Sequence, residues 1–191
     1  MVGGWDCKMK KTALVVLAKG FEEIEAVTPI DVLRRADVKV IVAGVGGTEI
    51  EGAHGVTFKT DTTIEKYSEI PDVIILPGGM PGASNLSKSE ALKKLLNKMK
   101  DAKKNIAAIC ASPAVVLGRE GFLENRTATC YPGFEKYLGS DVKFSEDRVV
   151  RDGIFTTSRG PGTALEFSLE LVKQLIGQAK ADELAQAMIV Q

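Results

Sequence analysis

The chain has 191 residues, enough to bury a sizeable core within one domain. Hydrophobic residues make up 45% and charged residues 26%, an ordinary globular balance, and 25 basic residues offset 25 acidic ones, so no basic footprint marks it for nucleic acid or an anionic membrane. No apolar run reaches the length of a membrane span and no secretory pattern opens the sequence, while three cysteines are too few for a disulfide framework; free thiols in a reducing cytoplasm are expected.

Met1 to Lys11, with Gly3-Gly4, Trp5 and Cys7, carries no usable period and is expected as a flexible extension before a single domain of residues 12–191. Thr12 to Ala18 is a compact apolar run, a first buried strand. Lys19-Gly20 turns the chain into a helix from Phe21 to Arg35, with Ile24, Val27, Ile30 and Leu33 assigned to one face. Glu22, Glu23 and Glu25 crowd its first turns, where carboxylates suit the helix dipole and a phosphate would be repelled. Pro29 deprives the Glu25 carbonyl of its partner and predicts a local kink there. By itself, Glu25 reads as a solvated helix carboxylate or as part of a site.

Val38 to Ala43 is a second strand, followed by Gly44-Val45-Gly46-Gly47 without the helical pattern a dinucleotide site needs. Ile50 to Lys59 reads as a hairpin carrying His54, the only histidine, as a polar loop residue. One histidine excludes a His-rich metal site, no cysteine pair has zinc-ligand spacing, and no metal or cofactor is expected. Asp72 to Leu76 is a third buried strand ending in Pro77-Gly78-Gly79-Met80-Pro81-Gly82, whose glycines allow backbone N–H groups to converge on a ligand. A helix from Ser87 to Lys103 follows, with Leu92, Leu95, Leu96 and Met99 at core spacing and Lys93, Lys94, Lys98 and Lys100 outside.

Asn105 to Leu117 reads as a buried strand running into a helix with Cys110 at the corner. Pro113 suits a first helical turn, and the small residues Ala108 and Ser112 flank the cysteine as in a nucleophile elbow. A helix N-terminus there favours thiolate; the plainer alternative is a small buried hydrophobe. Thr127 to Cys130 is a short strand closed by Tyr131-Pro132, with Cys130 packed. Val142 to Ser145, Arg148 to Arg151 and Ile154 to Thr157 suggest an antiparallel set turning at Asp152-Gly153, and helices from Ala164 to Ile176 and Ala179 to about Ile189 complete the chain. Such alternation makes an α/β fold with a mostly parallel sheet covered on both faces, whose ligands sit beyond the carboxyl ends of the strands. Glu25, the Pro77–Gly82 turn and Cys110 all fall on that edge.

The segments 13–25 (ALVVLAKGFEEIE), 76–79 (LPGG), 107–111 (AAICA) and 157–163 (TSRGPGT) resemble the ThiJ/PfpI superfamily, most closely the branch of the Parkinson-disease-associated protein deglycase. The resemblance covers essentially everything after Lys11. It implies a flavodoxin-like three-layer sandwich and a homodimer, the C-terminal helix being typical of that branch. It further implies Cys110 as the nucleophilic, oxidation-sensitive cysteine, Glu25 as the carboxylic acid beside it, the backbone N–H groups of Gly79 and Ala111 as oxyanion-type donors, and Arg159 lining an anion-binding spot. Tyr131 departs from the pattern, standing where several members carry a histidine, and is a possible auxiliary group though a poor base with an ordinary pKa of about 10. His54 falls where an arginine is frequent at the dimer surface, and Lys59 where some relatives have a second cysteine. Ala111 follows the nucleophile where PfpI-type proteases place histidine, and a glutamine amidotransferase's downstream His-x-Glu pair is lacking, so both those chemistries fit poorly.

The implied activity is a cofactor-free glyoxalase or deglycase acting on methylglyoxal-type dicarbonyls and glycated protein. The alternative is an oxidative-stress sensor or redox-regulated chaperone working through Cys110 sulfinic acid. Neither involves nucleic acid or membrane.

Overall fold

Residues 10–190 are described by a computed structural model. The expected extension, with Trp5 and Cys7, lies outside the described residues apart from Lys10 and Lys11. In chain order the elements are β1 (Thr12–Leu17), α1 (Glu23–Arg35), β2 (Lys39–Gly44), β3 (Glu49–Glu51), β4 (Thr57–Lys59), β5 (Thr62–Thr63), β6 (Val73–Leu76), α2 (Gly82–Ser87), α3 (Glu90–Asp101), β7 (Asn105–Ile109), β8 (Thr127–Ala128), β9 (Lys143–Phe144), β10 (Val149–Asp152), β11 (Phe155–Ser158), α4 (Ala164–Leu175) and α5 (Gln178–Ala187).

Seven strands form the central sheet in the order β10-β11-β7-β6-β1-β2-β5. Every neighbouring pair is parallel except β10 and β11, which turn back on each other with Asp152 opposite Phe155. The interior strands are apolar on both faces because both faces are covered. Ala13, Val15, Leu17, Ile75, Ala107 and Ile109 pack with Ala26, Ile30 and Leu33 of α1 and Phe167 and Leu171 of α4. Their neighbours Leu14, Val16, Ile74, Leu76, Ile106 and Ala108 pack on the opposite side with Leu86 of α2 and Leu92, Leu96 and Met99 of α3. This is the three-layer, flavodoxin-like α/β sandwich. Among the described residues, no helix is long and apolar enough to cross a membrane.

Several local expectations are corrected. The helix predicted from Ser87 to Lys103 is α3, Glu90–Asp101, its start set three residues later by Ser89, which accepts a hydrogen bond from Leu92 N at 3.3 Å; the short helix α2 before it, Gly82–Ser87, was not predicted. In α1, Ile30 and Leu33 are buried but Ile24 and Val27 are exposed, so the four do not share the core face. The helix runs through Pro29 as one element, with the proline ring buried. Lys143–Phe144 does not join β10 and β11; it pairs parallel with β8 in a separate two-stranded sheet. After Cys110 the chain forms only a six-residue π-helical segment, Pro113–Gly118. The hairpin around His54 is present as β3 and β4, with Ile50 opposite Phe58.

Candidate active site

Cys110 follows β7 directly and adopts φ 65°, the left-handed region that a non-glycine residue enters at a cost of about 1–3 kcal/mol. Hydrogen bonds on both sides hold it there. Its N–H donates to Ser158 O of β11 at 2.9 Å, and its carbonyl accepts from Tyr131 N at 2.8 Å. The neighbouring Ser112 hydroxyl donates to Pro77 O at 2.5 Å, tying this corner to the turn that follows β6. That turn supplies Gly79, at φ 84°, whose N–H points to the Cys110 sulfur together with that of Ala111.

Glu25 arrives from the opposite side on the first turn of α1. Its N–H donates to the Glu22 carboxylate at 2.8 Å, so Glu22 is the N-cap that fixes the turn. The Glu25 side chain is fully buried, and its Oε2 accepts from Gly78 N at 2.8 Å. Its Oε1 is buried with no hydrogen-bond partner, while the thiol lies close enough for each group to bias the other's titration. Gly78 is what lets them meet. A Cβ there would stand 2.6 Å from Cys110 Cβ and 2.8 Å from Glu25 Oε2.

Burial pushes the Glu25 carboxyl up to about 7; the Gly78 N–H and the thiol oppose this and the Glu22 charge reinforces it. The Cys110 thiol is also pushed up, first by burial and then by the Glu25 charge, against the pull of the Gly79 and Ala111 N–H groups. Burial and the carboxyl neighbour therefore work against the thiolate that a helix N-terminus would favour. Desolvation and the neighbouring carboxyl thus push both groups of the pair toward their neutral forms, while the Gly79 and Ala111 N–H groups favour the ionised sulfur. The arrangement can pass a proton between sulfur, carboxyl and a bound molecule.

The remaining candidate residues are placed differently. Arg159 donates from Nη1 to Glu146 O at 3.0 Å, and its charge acts on Cys130 and Glu135. Tyr131 is bonded to Cys110 through its backbone, with its ring laid on Gly160, where a Cβ would be 3.1 Å away, and edge-on to Phe134 at 6.3 Å between centroids. His54 is bound to Glu23 twice, through Nδ1 at 2.8 Å and through its N–H at 2.7 Å. Donor atoms of Glu22, Glu23 and His54 lie within 4.8 Å of one another, but the first caps α1 and the other two clamp the β3–β4 hairpin onto it. The sequence reading did not foresee Gly78 as the spacer between Cys110 and Glu25, Glu22 as the N-cap of α1, or the Ser158 carbonyl as the acceptor that holds Cys110. The Gly78-Gly79 pair carried a usable signal, two adjacent glycines at a strand end; a carbonyl acceptor such as that of Ser158 carries none.

Residues 11–174 match the model of the DJ-1/PfpI family. The chain is 43% identical to the Parkinson disease protein 7 homolog of Danio rerio, over 94% of this chain and 97% of that protein. It is 34% identical to the glutathione-independent glyoxalase DJR-1.2 of Caenorhabditis elegans, over 92% of this chain and 94% of that one. The fold superposes on the crystal structure of Drosophila melanogaster DJ-1beta with a TM-score of 0.92 at 39% identity, covering 96% of this chain and all of that one. This chain belongs to the DJ-1/PfpI family.

Proposed function

We propose that the chain is a cofactor-free glyoxalase acting on methylglyoxal-type dicarbonyls, with deglycation of early protein adducts by the same chemistry. The observation that carries this is the buried Glu25 carboxyl, raised to about 7 and with Oε1 unpartnered, beside the Cys110 thiol. The similarity to the Caenorhabditis elegans glyoxalase supports it.

In the proposed reaction the thiol sulfur adds to the aldehyde carbon, and its proton passes to the aldehyde oxygen through Glu25, giving a hemithioacetal. The Gly79 and Ala111 N–H groups steady charge around the sulfur. Glu25 then removes the proton from the former aldehyde carbon and returns one to the adjacent ketone carbon, while the hemithioacetal hydroxyl proton passes to the ketone oxygen, leaving a thioester of a 2-hydroxy acid. Water hydrolyses the thioester, releasing lactate from methylglyoxal and restoring the thiol. No electron leaves the substrate, since one carbon is oxidised as its neighbour is reduced.

The test is lactate formation from methylglyoxal by the unmodified protein, Cys110→Ser and Glu25→Ala. Turnover by the unmodified protein alone is the expected result, and none by any of the three sinks the reading. A second reading, sensing of oxidants through a Cys110 sulfinic acid, is favoured by the same two N–H groups, which could hold sulfinate oxygens. Intact mass after mild peroxide tests it; a reading without a stable two-oxygen adduct on Cys110 fails.

The same proposal carries a homodimer. Ile24 and Val27 on α1, and Val56 in the β3–β4 hairpin that Glu23 clamps through His54, expose apolar side chains. Sedimentation of the protein with and without Val27→Asp checks it; the substitution is expected to leave monomers.

A further inference from the structure

Two successive peptide units of the turn after β6 each connect a donor to one of the reacting groups. Gly78 N–H, which donates to Glu25 Oε2 at 2.8 Å, shares its peptide with the Pro77 carbonyl, which accepts from the Ser112 hydroxyl at 2.5 Å. The next peptide repeats the pattern. Its Gly78 carbonyl accepts from Glu22 N at 3.1 Å, and its Gly79 N–H meets the Cys110 sulfur. Because the peptide is planar, a bond to the carbonyl fixes the direction of the N–H on its other side. It also polarises the unit, so the N–H becomes a stronger donor.

The two chains differ in their first member. Toward the sulfur it is main chain, the Glu22 N–H. Toward the carboxyl it is a side chain, Ser112, with no exposed surface. Ser112 stands at the N-cap position of the Pro113–Gly118 segment, yet its hydroxyl makes no capping bond there. A serine at a helix start ordinarily accepts from a backbone N–H; this one donates across the site to Pro77 instead. The consequence reaches the carboxyl. With Oε2 taken by Gly78 N–H, Oε1 is the oxygen left buried and unpartnered. The other groups that act on Glu25 are the Cys110 thiol and the Glu22 charge.

We propose that Ser112 is a positioning residue for Glu25, acting through the Pro77–Gly78 peptide. Its hydroxyl aims and strengthens the N–H that holds Oε2, and so keeps Oε1 free to exchange protons with the thiol and a bound molecule. The effect on turnover rests on the glyoxalase reading; the effect on the carboxyl does not.

The experiment follows the Glu25 side-chain carboxyl by carbon-13 NMR against pH, its signal assigned by its absence in Glu25→Gln. The proteins compared are the unmodified one, Ser112→Ala, Ser112→Cys and Ser168→Ala. Ser168 is the matched control, an equally buried hydroxyl that donates to Ala164 O at 2.6 Å within α4. A weakened donor disfavours the ionised carboxylate, so Ser112→Ala is expected to move the midpoint upward by about half a pH unit. Ser112→Cys, whose thiol donates weakly, should fall between, and Ser168→Ala should stay in place. A midpoint unmoved in both Ser112 variants overturns the inference, as does an equal shift in Ser168→Ala. With methylglyoxal, the kcat–pH profile of Ser112→Ala should move with the carboxyl while KM stays within about twofold. A profile that ignores the moved carboxyl overturns the role in the reaction. If no protein forms lactate, the glyoxalase reading has failed, and the NMR midpoints alone judge Ser112.

Discussion

Cys110 and Cys130 are both free, both buried and both have thiols pushed up by desolvation, Cys130 to about 12. They differ in what surrounds the sulfur. Cys130 packs among Ala128, Phe155 and other apolar side chains on the α2–α3 side of the sheet, with no exposed surface. Cys110 lies on the opposite side, 8% exposed, at a left-handed corner where two N–H groups and a buried carboxyl face it. Burial alone therefore says nothing about reactivity. Directed donors and a proton acceptor separate a reactive thiol from a packing thiol.

The sharpest way to break this comparison is to replace each cysteine with serine. Cys110→Ser should lower lactate formation from methylglyoxal by at least about 1000-fold, since the nucleophile is lost, while Cys130→Ser stays within about threefold. Comparable losses in both would show that the surroundings do not discriminate. Next in size is the carboxyl. Glu25→Ala should reduce kcat/KM about 100- to 1000-fold through loss of the proton relay, with the equivalent change near Cys130, Glu135→Ala, leaving it close to unmodified.

Stability against pH sharpens the same contrast. Glu25 has its carboxyl raised from 4.5 to about 7 in the folded chain. Between those values the unfolded chain ionises Glu25 first, so stability present below pH 4.5 declines as pH rises toward 7. Glu25→Gln removes that decline and should make the protein more stable at neutral pH by roughly 2–3 kcal/mol in urea unfolding, with little change at acid pH. Stabilisation of equal size at both pH values would count against a strained, ionisable carboxyl. The smallest effect expected is at the spacer. Gly78→Ala inserts a methyl between Cys110 and Glu25 and should destabilise the fold by about 1–3 kcal/mol, read by the same unfolding curves, while the exposed Gly162→Ala, with open space around it, costs less.

The elements legible in the sequence were those whose pattern is local. Leu14 to Leu17 and Ile74 to Leu76 are apolar without interruption, which only a strand covered on both faces tolerates. The adjacent Gly78-Gly79 after a strand, and small residues around Cys110, announced close backbone approach. The α1 face was misread for a geometric reason. Residues spaced strictly by three turn back about 60° around a helix at each step, so Ile24, Val27, Ile30 and Leu33 wind from solvent into the core. The short helix Gly82–Ser87 escaped because its six residues hold a single large apolar side chain, Leu86, and so show no period.

The sequence by itself determined the layered α/β architecture and the presence of a cysteine corner and a carboxylate on one sheet edge, because strand periodicity and element order dictate which ends converge. It also carried the family. Only the tertiary structure decided the surroundings of the site: how far Cys110 and Glu25 are pushed toward their neutral forms depends on how thoroughly β7, α1 and the Gly78-Gly79 turn exclude water around them. It likewise decided that Arg159 is bonded to the Glu146 carbonyl and that Tyr131 meets Cys110 through its backbone N–H. Desolvation and side-chain direction are properties of packed neighbours from distant parts of the chain, and no local pattern of residues records them.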